Sequence, residues 1–144
     1  MKDVFRMKIS EIQPSQLFIS ATKLARVMAD YEPITVETLP PIPIQRLGSY
    51  TIYTNGHTRA LAAYLRGLRE LRVYWDGDWN SEEELDSEAY EICLNWCLEA
   101  NIRSIADLKN RVVDDEEYQV VWIQRCHEMQ EKLEKQRKQA YTKE

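Results

Sequence analysis

The stretch "YTNGHTRALAAYLRGLRELRVYW", residues 53–75, switches its hydrophobic period twice and so constrains the fold more than any other part of the chain. An extended run ends at Thr54, Asn55 and Gly56 interrupt it, and Ala60, Leu61, Ala63, Tyr64, Leu65 and Leu68 then recur at helical spacing. Gly67 marks the end of that helix, and "LRVYW" restarts a strand. A strand, a helix and a strand in so short a span predict a βαβ crossover whose parallel strands lie in a covered sheet. Just upstream, "PIPIQRLGSYTIYT" reads as a hairpin over residues 42–54, with "GSY" as its tight turn.

The flanks complete an α+β expectation. In "MKISEIQPSQLFIS" the apolar residues Met7, Ile9 and Ile12 alternate with polar ones before Pro14, as in a short strand. Ser20 or Thr22 can then cap a helix carrying Leu24, Val27, Met28 and Tyr31, which Pro33 ends. From residue 82 the pattern is helical: Leu85, Ala89, Ile92, Cys93, Trp96, Cys97 and Ala100 share one face, with Glu82, Glu83, Glu84 and Glu88 at its positive end. Ser104 is expected to cap a further helix over 104–113, and 115–138 to form the last one, fraying at its polar end. The expected architecture is a small mixed β-sheet with helices over 1–78, followed by a C-terminal helical extension over 79–144 packed on it.

Charge is divided along the chain. Residues 42–75 carry five Arg against Glu70, whereas residues 76–120 carry fourteen acids against three bases. The net charge of −5 argues against non-specific DNA binding, which needs cationic surface to displace counterions. It leaves room for a local basic site taking a small anion, and for a protein partner on the acidic helical half. No stretch approaches the roughly 20 apolar residues of a membrane span, and "MKDVFRMKISEIQ" lacks a signal-peptide core, so a cytoplasmic protein is expected. Three cysteines, an odd number, point to reduced thiols rather than a disulfide framework.

The junction at residues 54–60 suggests chemistry. A strand running through "NGHTR" into a helix leaves backbone N–H groups unpaired, with the positive end of the helix behind them, which attracts anions. Asn55 can cap the helix, Gly56 permits a close approach, Thr58 adds a hydroxyl, and Arg59 offers a planar donor fork suited to phosphate oxygens. The competing reading is purely architectural: a capped turn followed by a solvated arginine.

The same residues resemble the signature of the ParB and sulfiredoxin superfamily: a strand, Gly-x-x-Arg as Gly56 to Arg59, a helix containing Ala-Ala-x-x-x-Gly, and a strand with an apolar centre. The resemblance covers roughly residues 7–76. It implies a nucleotide held by its phosphates on the turn, CTP in ParB proteins, ATP in sulfiredoxins and ADP in free serine kinases, so that a nucleotide with Mg²⁺ becomes the expected cofactor. The phosphate-binding residues it implies are Asn55, Gly56, His57, Thr58 and Arg59, with Lys23, near where sulfiredoxins place phosphate contacts, as an outlying candidate. Sulfiredoxins carry a catalytic Cys where this chain has His57, so that activity is not expected. The free serine kinases read Asp-Gly-His-His-Arg, matched here at Gly56, His57 and Arg59, but their catalytic carboxylate falls where this chain has Ser15 and Gln16. Kinase chemistry would then need Glu11, Glu32 or Glu37 to reach the site. Nuclease chemistry commonly needs metals on clustered carboxylates, and the motif region has none.

Other features read as structure. Cys93, Cys97, Cys126 and His127 could be taken for a zinc site, but Cys93 and Cys97 share the apolar stripe of Ile92 and Trp96. The tryptophans read as core or as the seam between halves, with Trp75 or Trp79 as an outside candidate for stacking on a base. Arg66 and Glu70 read as an i,i+4 pair on a solvated face. The function expected is nucleotide or phosphate binding, with phosphoryl transfer the conceivable reaction and His57 the acid or base. The alternatives are a non-enzymatic interaction module and a DNA-linked accessory of ParB type.

Overall fold

The computed structural model of the chain describes residues 2–77 and 84–142. Strand β1 (Phe5–Lys8) leads into a 3₁₀ turn at Ile9–Glu11. The first strand therefore lies earlier than its alternation suggests, and Ile9 and Ile12 enter the core from the turn and its exit. The turn is pinned where the Ile9 N–H donates to the Arg69 carbonyl at 2.9 Å. A two-residue strand β2 (Ile19–Ser20) opens α1 (Ala21–Asp30), and the Ser20 hydroxyl accepts from the Lys23 N–H at 3.2 Å as its cap. Strands β3 (Ile42–Leu47) and β4 (Tyr50–Tyr53) form the expected hairpin, turning at Gly48 (φ +61°) and Ser49. Helix α2 (His57–Leu65) and strand β5 (Glu70–Trp75) follow.

The sheet order is β1-β5-β3-β4, with β5 parallel to β3 and antiparallel to β1. This corrects the crossover expected from residues 53–75. The strand entering α2 is β4, but the two-residue turn commits β4 to one side of β3. The other side of β3 is open, and β5 takes it, so the parallel pair is β3 and β5 with Ile42 opposite Val73. Helix α2 ends where the Leu68 N–H reaches back to the Ala63 carbonyl and the Gly67 N–H to that of Tyr64, both at 3.0 Å, with Gly67 at φ +87°. Because the helix stops there, Glu70 is already strand and the Arg66–Glu70 pair does not form; Arg66 bonds Glu32 at 3.3 Å instead.

In the second half, α3 (Glu84–Glu99) ends at Asn101, whose φ of +62° takes the place a glycine often fills. The helix expected over 104–113 is only a 3₁₀ turn, Ile105–Leu108. The Asp107 carboxylate accepts from the N–H groups of Arg103 and Ser104, and the chain then extends into β6 (Val112–Val113), which pairs parallel with β2. Helix α4 (Asp115–Tyr118), capped by Asp114, runs through a π-helical segment, Gln119–Gln124, into α5 (Arg125–Thr142).

The fold is α+β. The boundary expected at residues 78 and 79, with Asp78, Trp79, Glu82 and Glu83, lies outside the described residues. Across it, one core is shared: Ile12, Ile19, Leu61 and Ala63 from the first half cluster with Cys97, Ile102, Ile105 and Trp122 from the second. The Gln13 side-chain amide donates to the Ile102 carbonyl at 2.8 Å, and Arg111 Nε to the Leu17 carbonyl at 2.7 Å. Trp96 and Trp122 meet edge to face at that seam, whereas Trp75, against Phe5, is exposed at the sheet end. No described helix is long and apolar enough to cross a membrane.

Candidate functional site

Strand β4 delivers the chain to Gly56 at φ +80°, a left-handed conformation that favours glycine. A Cβ there would lie 2.9 Å from Arg59 Nη2 and 2.9 Å from Ile42 Cγ2, so the absent side chain is what lets the strand end and the guanidinium close on each other. Asn55 does not cap α2 as expected. Its Oδ1 turns back to accept from the Gly56 N–H at 2.7 Å, which leaves Gly56 as a cap residue without a side chain. The first intrahelical bond is Ala60 N–H to Gly56 carbonyl, so the N–H groups of His57, Thr58 and Arg59 have no partner among the described residues.

Arg59 folds back along the turn. Its Nη1 donates to the carbonyls of Pro40 (3.3 Å) and Pro41 (3.2 Å), while Nε and Nη2 have no hydrogen-bond partner among the described residues. Partial burial lowers its pKa, opposed by the Tyr31 and Tyr74 phenols nearby, and the group remains a cation. Thr58, beside it, is half-buried.

His57 is tied inward. Its Nε2 accepts the Ser15 N–H at 2.9 Å, so Nδ1 carries the ring hydrogen, and the ring sits 5.1 Å from that of Tyr53. Burial lowers its pKa to about 3. The expected acid or base is thus a neutral acceptor that holds the 13–16 segment against the turn. The Ser15 hydroxyl donates to the Tyr53 carbonyl at 2.8 Å rather than to the imidazole, so Ser15 and His57 do not make a nucleophile and base.

A cavity of about 280 Å³ opens on the His57 side. Ser15, Gln16, Thr54, Asn55 and His57 line one wall, and Tyr90, Cys93, Trp122 and Cys126 the other. The Tyr90 hydroxyl donates to the Thr54 carbonyl at 2.8 Å, and the Thr54 hydroxyl to Asp76 Oδ2 at 2.7 Å, which fixes the end of β4. Sequence reasoning did not anticipate this wall. The signal for its near side was Ser15 and Gln16 after Pro14; for the far side, an aromatic and two thiols recurring on helical faces was all the sequence offered.

The motif is therefore divided. Asn55 and His57 line the cavity, while Arg59 lies against Gly56 and the 40–41 carbonyls. Lys23 joins neither group: it is exposed, with its ammonium 5.5 Å from the Tyr118 ring centroid. Glu11 is exposed, Glu32 pairs with Arg66, and Glu37 with Arg6, so none of the three lines the cavity. Arg72 donates to the carbonyls of Val36, Glu37 and Leu39 and anchors that loop. Among the described residues no group of three His, Cys, Asp or Glu side chains is placed to hold a metal.

No family model matches the sequence, and no curated protein matches it. Among solved structures the chain is similar to protein Atu1540 from Agrobacterium tumefaciens, at 11% identity and a TM-score of 0.47, over 80% of this chain and 64% of that one. The chain thus spans less than two thirds of that protein's length.

Proposed function

We propose that the chain binds a phosphate-bearing small molecule at the start of α2, through Gly56, His57, Thr58 and Arg59 with Asn55 at its edge. The observation that supports this most directly is that the N–H groups of residues 57–59, without a partner among the described residues, stand at the start of α2 next to a partly desolvated guanidinium held near Gly56. Partly buried donors of this kind bind oxyanions more strongly than solvated ones. The resemblance to the ParB and sulfiredoxin superfamily narrows the class to a nucleotide, CTP, ATP or ADP, with Mg²⁺. If a reaction follows, it is phosphoryl transfer, with Arg59 and the turn amides stabilising charge and any base supplied by a group other than the neutral His57. Three free thiols suit a reducing compartment, which supports a cytoplasmic location.

Isothermal titration of the full chain with CTP, ATP and ADP, each with and without Mg²⁺, tests the reading. Binding of at least one, weakened tenfold or more in Arg59→Ala while the circular dichroism stays unchanged, is the expected result. Silence towards all three sinks it.

A second reading has its own observation. Arg59 bonds to the 40–41 carbonyls and His57 to the Ser15 amide, which is how a turn with a purely architectural task would use them. The chain would then be a non-enzymatic module whose acidic helical half meets a protein, or a DNA-linked accessory of ParB type. A partner retained by Arg59→Ala favours the first, and retardation of DNA at low salt the second.

A further inference from the structure

Two helices that meet nowhere near each other in sequence each bring a thiol to the same cavity, Cys93 from α3 and Cys126 from α5. Both line the same wall of it, where α3 packs on α5, and each is near enough to shift the other's titration. Tyr118, Trp122 and Cys126, four residues apart on either side of and within the π-helical segment Gln119–Gln124, all pack toward the core. Access is provided by the cavity itself and by Cys126, which is only half-buried.

The two thiols are not equivalent. Cys126 is half-buried and lies beside the Arg125 guanidinium, which with the Cys93 thiol lowers its pKa, whereas Cys93 is buried and pushed up. The more exposed Cys126 is therefore the thiol that a peroxide reaches first. Cys97 differs from both: it is fully buried, does not line the cavity, and burial pushes its thiol up to about 12.

We propose that Cys93 and Cys126 form a reversible disulfide that joins α3 to α5 across the cavity wall, made by a peroxide and undone by a dithiol. The Cys126 thiolate attacks one oxygen of hydrogen peroxide, the O–O bond breaks, and the departing hydroxide takes up a proton to leave as water. Cys126 is then a sulfenic acid. The Cys93 sulfur attacks the Cys126 sulfur, displacing the hydroxyl, which leaves as a second water with the Cys93 proton. In sum two thiols and one peroxide give one disulfide and two waters. An external dithiol returns both thiols by exchange and is itself oxidised to a disulfide. Because the bond lies in the wall facing Asn55 and His57, it makes the opening of that cavity responsive to oxidants. The inference stands apart from the phosphate reading, since neither thiol belongs to the α2 turn.

The test uses the full reduced chain, treated with a modest molar excess of hydrogen peroxide and followed by intact mass, differential alkylation and peptide mapping. The expected result is loss of two hydrogens, a Cys93–Cys126 cross-link, and full reversal by dithiothreitol. Cys97→Ser should form the same bond. Cys93→Ser should stop at a Cys126 sulfenic acid that dimedone traps, and Cys126→Ser should give neither disulfide nor adduct. A mass unchanged by peroxide, a cross-link that runs Cys93–Cys97, or a disulfide that survives in Cys126→Ser overturns the proposal. Mapping of the unsubstituted chain decides the matter even where a variant fails to fold.

Discussion

The two ends of α2 are each marked by a glycine with positive φ, +80° at Gly56 and +87° at Gly67, and they are otherwise unlike. Around Gly67 a Cβ would meet nothing within 4 Å, and the residue serves only to turn the chain out of the helix. Around Gly56 the same atom would press on Ile42 and Arg59. The opening end is also tied to its surroundings, through His57 to Ser15 and through Thr54 to Tyr90 and Asp76. One glycine is a matter of backbone shape alone. The other is where backbone, sheet and cation converge, and the difference says that the start of α2 was shaped around something more than ending a strand.

The contrast can be measured. Gly56→Ala should lose about 2–5 kcal/mol of stability in urea unfolding, combining the left-handed strain with overpacking against Ile42. A loss no larger than that of Gly67→Ala would erase the distinction. The next effect depends on pH. Unfolded, His57 titrates near its ordinary 6.5; folded, burial holds it at about 3. Between those values the unfolded chain binds the extra proton, so stability falls by about 1.4 kcal/mol for each pH unit lost below about 6.5. His57→Gln should show a shallower acid dependence than the parent chain over that window; equal slopes would mean that the imidazole is not buried neutral. Gly67→Ala should cost about 1–2 kcal/mol, the backbone strain alone. Smallest is Tyr90→Phe, which removes the hydrogen bond to the Thr54 carbonyl and should cost about 1 kcal/mol, read as a small drop in melting temperature.

What could be read from the chain followed the range of the forces involved. The 42–53 hairpin, the Ser20 cap and the Gly67 stop are local, and each was legible because a handful of adjacent residues decides it. The pairing of β5 with β3 rather than β4 was not, because it depends on which sheet edge the hairpin leaves free. The 104–113 segment has helical periodicity, but Asp107 closes a single turn and Val112 and Val113 are taken by β2. At the site, the residue types at 55–59 gave the turn and its glycine. They could not give the direction of Arg59 or His57, since the 40–41 carbonyls and the Ser15 amide come from far along the chain. The cavity wall was the least accessible of all: Tyr90, Cys93 and Cys126 look like ordinary core until the fold sets them opposite Asn55.

The pairing of residue 19 with residue 112 bears on how the chain reaches its native state. During synthesis the early half emerges with Ile12, Ile19 and Leu61 already made, yet the groups that cover them, Ile102, Ile105 and Trp122, are still to come. Until they arrive, the nascent chain carries an open apolar face and the Gln13 amide lacks its later carbonyl partner. The two halves therefore fold as one concerted unit rather than sequentially from the first half to the second.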